Sequence, residues 1–303
     1  MGTAAEVREI ATGLQFPEGP VAMPDGTVIV VEIRRGTLSR VGTDGTVDVV
    51  ADLGGGPNGA AIGPDGACYV ANNGGFLWSE LDGMLIPFDL TTMSNQPDNF
   101  TGGWINRVDL DTGEHQVLYQ ECAGHEFRGP NDIVFDAEGG FWFTDFGKSR
   151  PRDADRGGLY YGTVDGKSVT QVARGLLGPN GVGLSPAGDR VYVAESYTGR
   201  LNAWDVTAPG TVSSPMATVV EATKGHFDSL AVEASGAVVV AAIGEGLCVV
   251  QPDGGHEYVA LPDRFTTNVC FAGDDLRTAY ATLSGAGRLV ALDWPRPGLP
   301  LAF

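Results

Sequence analysis

A short pattern that occurs six times constrains the fold of this chain more than any other feature of its sequence. The clearest copy is GPNDIVFDAEGGFWFTDFG, at 129–147. It contains a polar lead-in, a short apolar segment, a tight turn and a second apolar segment, which together predict a two-stranded β-hairpin. The six copies lie at 16–32, 56–72, 129–147, 178–196, 226–242 and 266–282.

One column of the aligned copies carries a side-chain oxygen in every case. The six residues of this column, just before the first strand of each hairpin, are Glu18, Asn58, Asn131, Asn180, Asp228 and Asn268. Successive members are 40, 73, 49, 48 and 40 residues apart. A four-stranded propeller blade takes about 40–50 residues. The spacing therefore predicts six blades, with one long insertion in the second.

Segments between the hairpins supply two further strands for each blade. Each third strand starts near a glycine and leaves through an Asp or Gly turn. Residues 6–14 resemble the outermost strands of the later blades but have no blade of their own. We expect them to complete the last blade and close the ring. The predicted fold is an all-β, six-bladed β-propeller that forms a single domain over residues 1–303, with no helix of useful length.

The insertion spans about residues 76–103 and is rich in large apolar side chains. These are Phe76, Trp78, Met84, Phe88, Met93 and Phe100. A long loop in a compact domain is often a binding element. Two interpretations stay open: a lid-like loop over the channel mouth, or a loop that packs against a neighbouring blade or a partner subunit.

Composition excludes several classes of function. The net charge of −19 argues against nucleic-acid binding, because no basic patch offsets it. No apolar run approaches the ~20 residues of a membrane helix, and the N-terminus lacks the pattern of a secretory signal. We expect a cytoplasmic protein without membrane association. The four cysteines show no CxxC spacing, which favours buried free thiols.

The polar column predicts the chemistry. Inner strands line a propeller's channel, so one residue before each strand should form a ring at one channel mouth. Carboxylates and carboxamides are hard oxygen ligands suited to calcium or magnesium. Glu18 and Asp228 would neutralise a divalent cation, and Asn131 and Asn180 would add neutral oxygens. Turn capping is the alternative for each Asn or Asp alone, but it does not favour Glu18.

The motifs around this column resemble those of a known family. EGP at Glu18, PND at Asn131, PNG at Asn180 and FDSL at Asp228 are similar to segments of the senescence-marker-protein/gluconolactonase/luciferin-regenerating-enzyme family, also called the regucalcin family. The resemblance covers essentially the whole chain. It implies a six-bladed propeller that holds one divalent metal through these four residues, with Ca²⁺ expected and Mg²⁺, Zn²⁺ or Mn²⁺ as alternatives.

The resemblance also implies a metal-dependent hydrolase, with a lactonase as the first expectation and a small lactone or ester as substrate. Asp228 is the candidate catalytic residue, as base or nucleophile or as a ligand only. The candidate substrate contacts are Asn58, Asn268, His226, Arg128 and Trp78. Gluconolactonase-type members have arginine two residues before the channel asparagine, a position held here by Gly129, which argues against a sugar lactone.

Three other functions stay open on the sequence. The same metal site would suit a phosphotriesterase. The propeller could serve a non-hydrolytic biosynthetic reaction, or it could be a calcium-binding protein without activity. We expect a monomer or a homodimer in each case.

Overall fold

A computed structural model describes residues 6–213 and 215–303 of the chain. Strands and turns account for all of the regular structure in this part, and it contains no helix. The strands form six antiparallel blades whose inner strands touch one another in succession, from blade one to blade six and back to blade one. The predicted six-bladed β-propeller is confirmed.

Each blade is a meander of four strands, ordered from the channel outward. Blade one comprises β2 (Pro17–Ala22), β3 (Val28–Glu32), β4 (Thr37–Val41) and β5 (Val47–Asp52). Blade two comprises β6 (Pro57–Ile62), β7 (Cys68–Asn72), β10 (Trp104–Val108) and β11 (His115–Tyr119). Blade three comprises β14 (Pro130–Phe135), β15 (Gly140–Asp145), β16 (Gly157–Thr163) and β17 (Val169–Leu176).

Blades four to six repeat this order, with a short extra strand in blade four. Blade four comprises β18 (Pro179–Leu184), β19 (Arg190–Glu195), β20 (Arg200–Ala208), β21 (Thr211–Val212) and β22 (Ala217–Glu221). Blade five comprises β23 (His226–Val232), β24 (Val238–Ile243), β25 (Gly246–Val250) and β26 (His256–Val259). Blade six comprises β27 (Thr266–Ala272), β28 (Thr278–Leu283), β29 (Arg288–Asp293) and β1 (Arg8–Ala11). Two small hairpins, outside the blade sheets, are β8 (Ser79–Leu81) with β9 (Met84–Ile86) and β12 (Glu121–Cys122) with β13 (His125–Glu126).

The N-terminal strand closes the ring as the sequence predicts. Strand β1 pairs antiparallel with β29, and Arg8 lies opposite Ala291. The outer edge of blade six is thereby completed by the other end of the chain. Since the first and last strands of the chain share one sheet, neither can leave without exposing a sheet edge.

Apolar side chains fill the spaces between blades. Separate buried clusters lie between neighbouring blades all round the ring. Between blades two and three, for example, Tyr69 packs on Phe135 and Phe141, with ring centroids 5.1 and 5.6 Å apart. All four cysteines are buried and free, which confirms the sequence-based expectation. No helix in the described ranges is long and apolar enough to cross a membrane.

A break in strand register recurs at the same point of every inner strand. In blade three, Pro130 pairs with Asp145 but the next paired residue is Ile133, so Asn131 lies in a β-bulge. The equivalent irregularity occurs in the other five inner strands. Bulges re-aim side chains and are frequent beside functional sites. Here they fall at or next to the polar column.

Neighbouring inner strands approach so closely that three of them need glycine directly after the column residue, as Gly59 and Gly181 illustrate. A Cβ on Gly59 would lie 2.5 Å from the carbonyl oxygen of Asn131. A Cβ on Gly181 would lie 2.7 Å from the backbone nitrogen of Leu230. Because the obstructing atoms are backbone, a side chain at either place would push the next blade outward.

The C-terminal tail, residues 295–303, runs across the face opposite the polar column. The Leu299 N–H donates to the Val232 carbonyl at 2.8 Å, at the far end of the blade-five inner strand. The Phe303 ring lies 6.0 Å from Phe135, at the far end of the blade-three inner strand. The tail therefore passes beneath the channel from blade six, past blade five, to blade three.

Candidate metal centre

The six column residues lie at one mouth of the channel, here called the upper mouth, and form what we call the channel ring. Five members are buried to between 3 and 6% exposure, and Asp228 is half-buried. Each member lies within the bulge of its inner strand or directly beside it. The fold thus brings together residues that are up to 250 positions apart in the chain.

Glu18 is held by hydrogen bonds to one of its carboxylate oxygens. Asn268 Nδ2 donates to Oε2 at 2.8 Å, and the Gly19 N–H donates to the same atom at 3.0 Å. Asn268 Oδ1 accepts from the Val269 N–H at 2.7 Å. Both polar ends of Asn268 are therefore engaged, and its amide orients Glu18.

Asn180 is fixed by three hydroxyl groups. Ser229 Oγ donates to Asn180 Oδ1 at 3.3 Å, and Asn180 Nδ2 donates to Ser196 Oγ at 3.2 Å. Thr144 Oγ1 donates to the Asn180 backbone carbonyl at 2.5 Å. Ser196 Oγ also donates to the Phe227 carbonyl at 2.6 Å, which couples Asn180 to the strand that carries Asp228.

Three acidic groups crowd the ring. Burial raises the pKa of Glu18 to about 7 against the opposing hydrogen bonds of Asn268, Thr267 and Gly19. Burial and the charge of Glu18 raise the pKa of Asp132 to about 7. Burial raises the pKa of Asp228 well above its usual 3.8, and the negative charges of Glu18 and Asp132 raise it further. Negative charge at this mouth is thus destabilised by desolvation and mutual repulsion.

The donor set fits a hard divalent cation. Asn131 Oδ1 is buried and has no hydrogen-bond partner within residues 6–213 and 215–303. A buried acceptor without a partner costs about 1–3 kcal/mol, so it marks the place of a missing donor or ion. The same ring holds the carboxylates of Glu18 and Asp228, whose mutual repulsion a cation would relieve. Two carboxylates and two carboxamides suit calcium, with water completing the 6–8 oxygens.

Within residues 6–213 and 215–303, acidic and soft ligands alone form no metal site. Across the described residues, no three His, Cys, Asp or Glu side chains form a cluster that could hold a metal ion. Asp132 does not change this, because its oxygens accept from the Ile133 N–H at 2.9 Å and the Val182 N–H at 3.3 Å.

The predicted substrate contacts lie at different depths. Asn58 is buried within the ring. His226 is exposed at the mouth, and its Nδ1 donates to the Ser196 carbonyl at 3.2 Å, which leaves Nε2 for a ligand. Trp78 is half-buried and meets Phe16 edge-on, with ring centroids 5.3 Å apart. Phe16 lies two residues before Glu18, so the indole borders the ring.

Arg128 is directed toward the insertion. Its Nε donates to Asp155 at 3.1 Å, and its Nη2 donates to Gln96 at 2.9 Å. Its guanidinium carbon lies 4.7 Å from the centroid of the Phe100 ring. The arginine predicted as a substrate contact is thus engaged in holding the insertion in place.

Two open surface grooves lie apart from the ring, between the outer parts of blades two and three. Their volumes are about 560 and 580 Å³. No ring residue lines either groove, and both include Glu121 and Glu126. The orphaned acceptor and the crowded carboxylates lie at the ring, so the chemistry is concentrated there.

Fold and site together define a six-bladed β-propeller with an oxygen-rich ring at one channel mouth. The family model described as an SMP-30/gluconolactonase/LRE-like region matches residues 16–285. The chain therefore belongs to the SMP-30/gluconolactonase/LRE-like family.

Individual relatives agree with this assignment. A gluconolactonase of Zymomonas mobilis is 23% identical over 318 aligned positions, which cover 94% of this chain and 80% of that protein. The lactonase drp35 of Staphylococcus saprophyticus is 36% identical over 154 residues, which cover 50% of this chain and 46% of that protein. The match thus spans about half the length of that relative. The crystal structure of regucalcin from Agrobacterium tumefaciens, named a calcium-binding protein, has a TM-score of 0.74 at 20% identity and covers 98% of each chain.

Sequence reasoning missed the hydroxyl groups that hold the ring. Ser196 follows the second strand of blade four, and Ser229 occupies the position directly after the column, which is glycine in three other blades. Thr144 faces the inner strand from β15 and accepts from the Asp132 N–H at 3.1 Å. Alignment of the repeats shows serine here where three blades have glycine, and this difference is the signal that could have identified Ser229.

Proposed function

We propose that this protein is a divalent-metal-dependent hydrolase that opens a lactone ring at the upper mouth of the channel. The observation that carries the proposal is the partnerless Asn131 Oδ1, buried beside two carboxylates that repel each other. The lactonase relatives support the reaction class, and the calcium-binding relative supports the metal.

Glu18, Asn131, Asn180 and Asp228 would hold the cation. When bound there, it would supply Lewis-acid polarisation of the lactone carbonyl. Asn268 and Gly19 orient Glu18 through their hydrogen bonds, and Ser229 and Ser196 orient Asn180.

Asp228 is the candidate general base. Its carboxylate is half-buried at the mouth, and burial together with the charge of Glu18 raises its pKa, which makes it a stronger base. It takes a proton from a water molecule as the water oxygen bonds to the carbonyl carbon. The ring carbon–oxygen bond then breaks, and the proton passes to the departing alkoxide oxygen, which gives a hydroxy acid. His226 Nε2 borders the same space and can bind the substrate or the acid product.

The test is turnover of a lactone panel after chelation and after calcium is restored. We expect activity to disappear with chelator, to return with calcium, and to be absent in Asp228→Asn. Asp111→Asn, which removes an exposed carboxylate, is the matched control and should behave as the wild type. Turnover that chelation does not change, with no bound metal by elemental analysis, would contradict the proposal. A phosphotriester in the panel separates the lactonase from the phosphotriesterase reading.

A further inference from the structure

The insertion is hydrogen-bonded to blade six at one end and to blade three at the other. On one side, the Leu85 N–H donates to the Gly285 carbonyl of blade six at 3.0 Å. On the other, the Ser149 N–H donates to Asn95 Oδ1 at 2.8 Å, and the Asn95 N–H donates back to the Ser149 carbonyl at 3.1 Å. Ser149 belongs to residues 146–156, here called the rim loop of blade three. The insertion thus extends from blade six to blade three along the upper mouth.

Lys148 of the rim loop is buried between the two ends of the insertion. Only 1% of the residue is exposed. Its Nζ lies 4.3 Å from the centroid of the Phe76 ring and 5.1 Å from that of Phe100. It donates to the Gly75 carbonyl at 2.6 Å and to Asn73 Oδ1 at 3.4 Å. One ammonium group therefore touches the chain where it leaves blade two and where it returns.

The backbone of Lys148 is itself fixed within the rim loop. Its N–H donates to Asp155 Oδ2 at 3.1 Å, and its carbonyl accepts from the Asp155 N–H at 2.9 Å. Asp155 also accepts from Arg128 and Arg150, and both arginines donate to Gln96 of the insertion. The lysine thus extends from a rigid base.

Stability alone does not explain a charge in this place. No carboxylate within the described ranges lies within 4.0 Å of Lys148 Nζ, and burial lowers the pKa of this lysine well below its usual 10.5. Burial penalises the ammonium form, and the two aromatic ring faces and the charges of Asp145 and Asp155 offset only part of that penalty. The ammonium group attracts two ring faces and a carbonyl oxygen to one point, so it fixes where the two ends of the insertion lie.

We propose that Lys148 is a positioning residue that pins both ends of the insertion and makes it a fixed wall of the substrate pocket. The proposal rests on the proposed function, since it assigns the insertion a part in substrate binding. It favours the second interpretation of the insertion, a loop packed against a neighbouring blade, because both ends are pinned at the rim loop of blade three, and in that place it also borders the channel ring. Trp78 is then held against Phe16, two residues from Glu18, as the wall's edge at the ring.

The experiment compares Lys148→Met with Lys167→Met, which removes a lysine whose side chain is 82% exposed. Phe100→Leu removes one ring face and leaves the lysine, so the test survives if the first variant does not fold. In Lys148→Met and Phe100→Leu we expect chymotrypsin to cleave within residues 76–103 at least tenfold faster. Leu90 and Met93, 43% and 60% exposed, are the expected points of attack. Lys167→Met should match the wild type.

Kinetics on the lactone panel distinguish positioning from general structural support. We expect KM to rise at least tenfold in the two pin variants while kcat changes by less than threefold. Unchanged cleavage and unchanged KM would overturn the proposal, and so would a fall in kcat alone. If the wild type hydrolyses no lactone, the proposed function fails, and the cleavage rates alone decide whether Lys148 pins the insertion.

Discussion

Gly59→Ala tests whether close packing of the inner strands sets the geometry of the channel ring. The new Cβ would lie 2.5 Å from the Asn131 carbonyl oxygen and 2.7 Å from the Asp132 Cα. Both are backbone atoms that cannot rotate away, so the strand carrying Asn131 must shift by several tenths of an ångström. Overpacking of this kind costs about 1–3 kcal/mol, and the backbone clash places this site near the upper end.

The expected shift in melting temperature follows from this cost. Alanine restricts the unfolded chain and returns about 0.4–1 kcal/mol, which leaves a net loss of about 2 kcal/mol. The unfolding entropy of about 2.1 cal/mol/K per residue gives about 0.6 kcal/mol/K for 303 residues. We therefore expect Tm to fall by about 3 °C in thermal denaturation followed by circular dichroism.

Calcium titration of the same variant reports on Asn131. A displaced ligand oxygen should weaken calcium binding by about tenfold, equivalent to about 1.4 kcal/mol. Gly255→Ala is the matched control, since its Cβ would meet only the carboxylate of Asp253, at 3.1 Å, and should leave both quantities unchanged. A wild-type Tm in Gly59→Ala would refute the packing argument. A lowered Tm with unchanged calcium affinity would remove Asn131 from the metal centre.

Two further predictions concern ion pairs that fasten chain segments. Burial acts to raise the pKa of Asp155, but hydrogen bonds from Arg150 and Arg128 prevail and hold it below the usual 3.8. Its stabilising contribution is therefore present above pH 3.8 and is lost as pH falls through the folded-state pKa. We expect the stability difference between wild type and Asp155→Asn, measured by urea denaturation, to vanish in acid. A stability difference that does not depend on pH would contradict this. In the C-terminal tail, Arg296→Met leaves the fully buried Glu233 carboxylate without its cation. Because Arg296 is one-third exposed, we expect a loss of about 2 kcal/mol, less than for a fully buried pair, and an unchanged denaturation midpoint would show that the pair does not hold the tail.

The fold was predictable because its signals are local and repeated. Alternating apolar residues and turn glycines define strands without reference to the rest of the chain. Six copies at blade-like spacing then leave a closed ring as the arrangement that pairs every edge. Strand β1 was predictable for the same reason, since residues 6–14 resemble outer strands that lack a blade.

The candidate site was predictable only in part. The column identified the residues of the ring, because equivalent positions in a propeller meet at one mouth. It did not show that Asn268 would orient Glu18, since that bond joins residues 250 positions apart and has no local pattern. It also did not show that Arg128 would bind Asp155 and Gln96, because their meeting depends on how the insertion folds back onto blade three.

The sequence by itself determined the six blades, the closure by the N-terminus and the identity of the ring residues, because each of these follows from a pattern that repeats along the chain. The tertiary structure alone decided what occurs once. Three such features depend on contacts between distant segments: the contacts of Lys148 with the insertion, the course of the C-terminal tail, and the Asn131 oxygen without a partner among the described residues. Such contacts form only when the blades have packed, so no single stretch of sequence contains them.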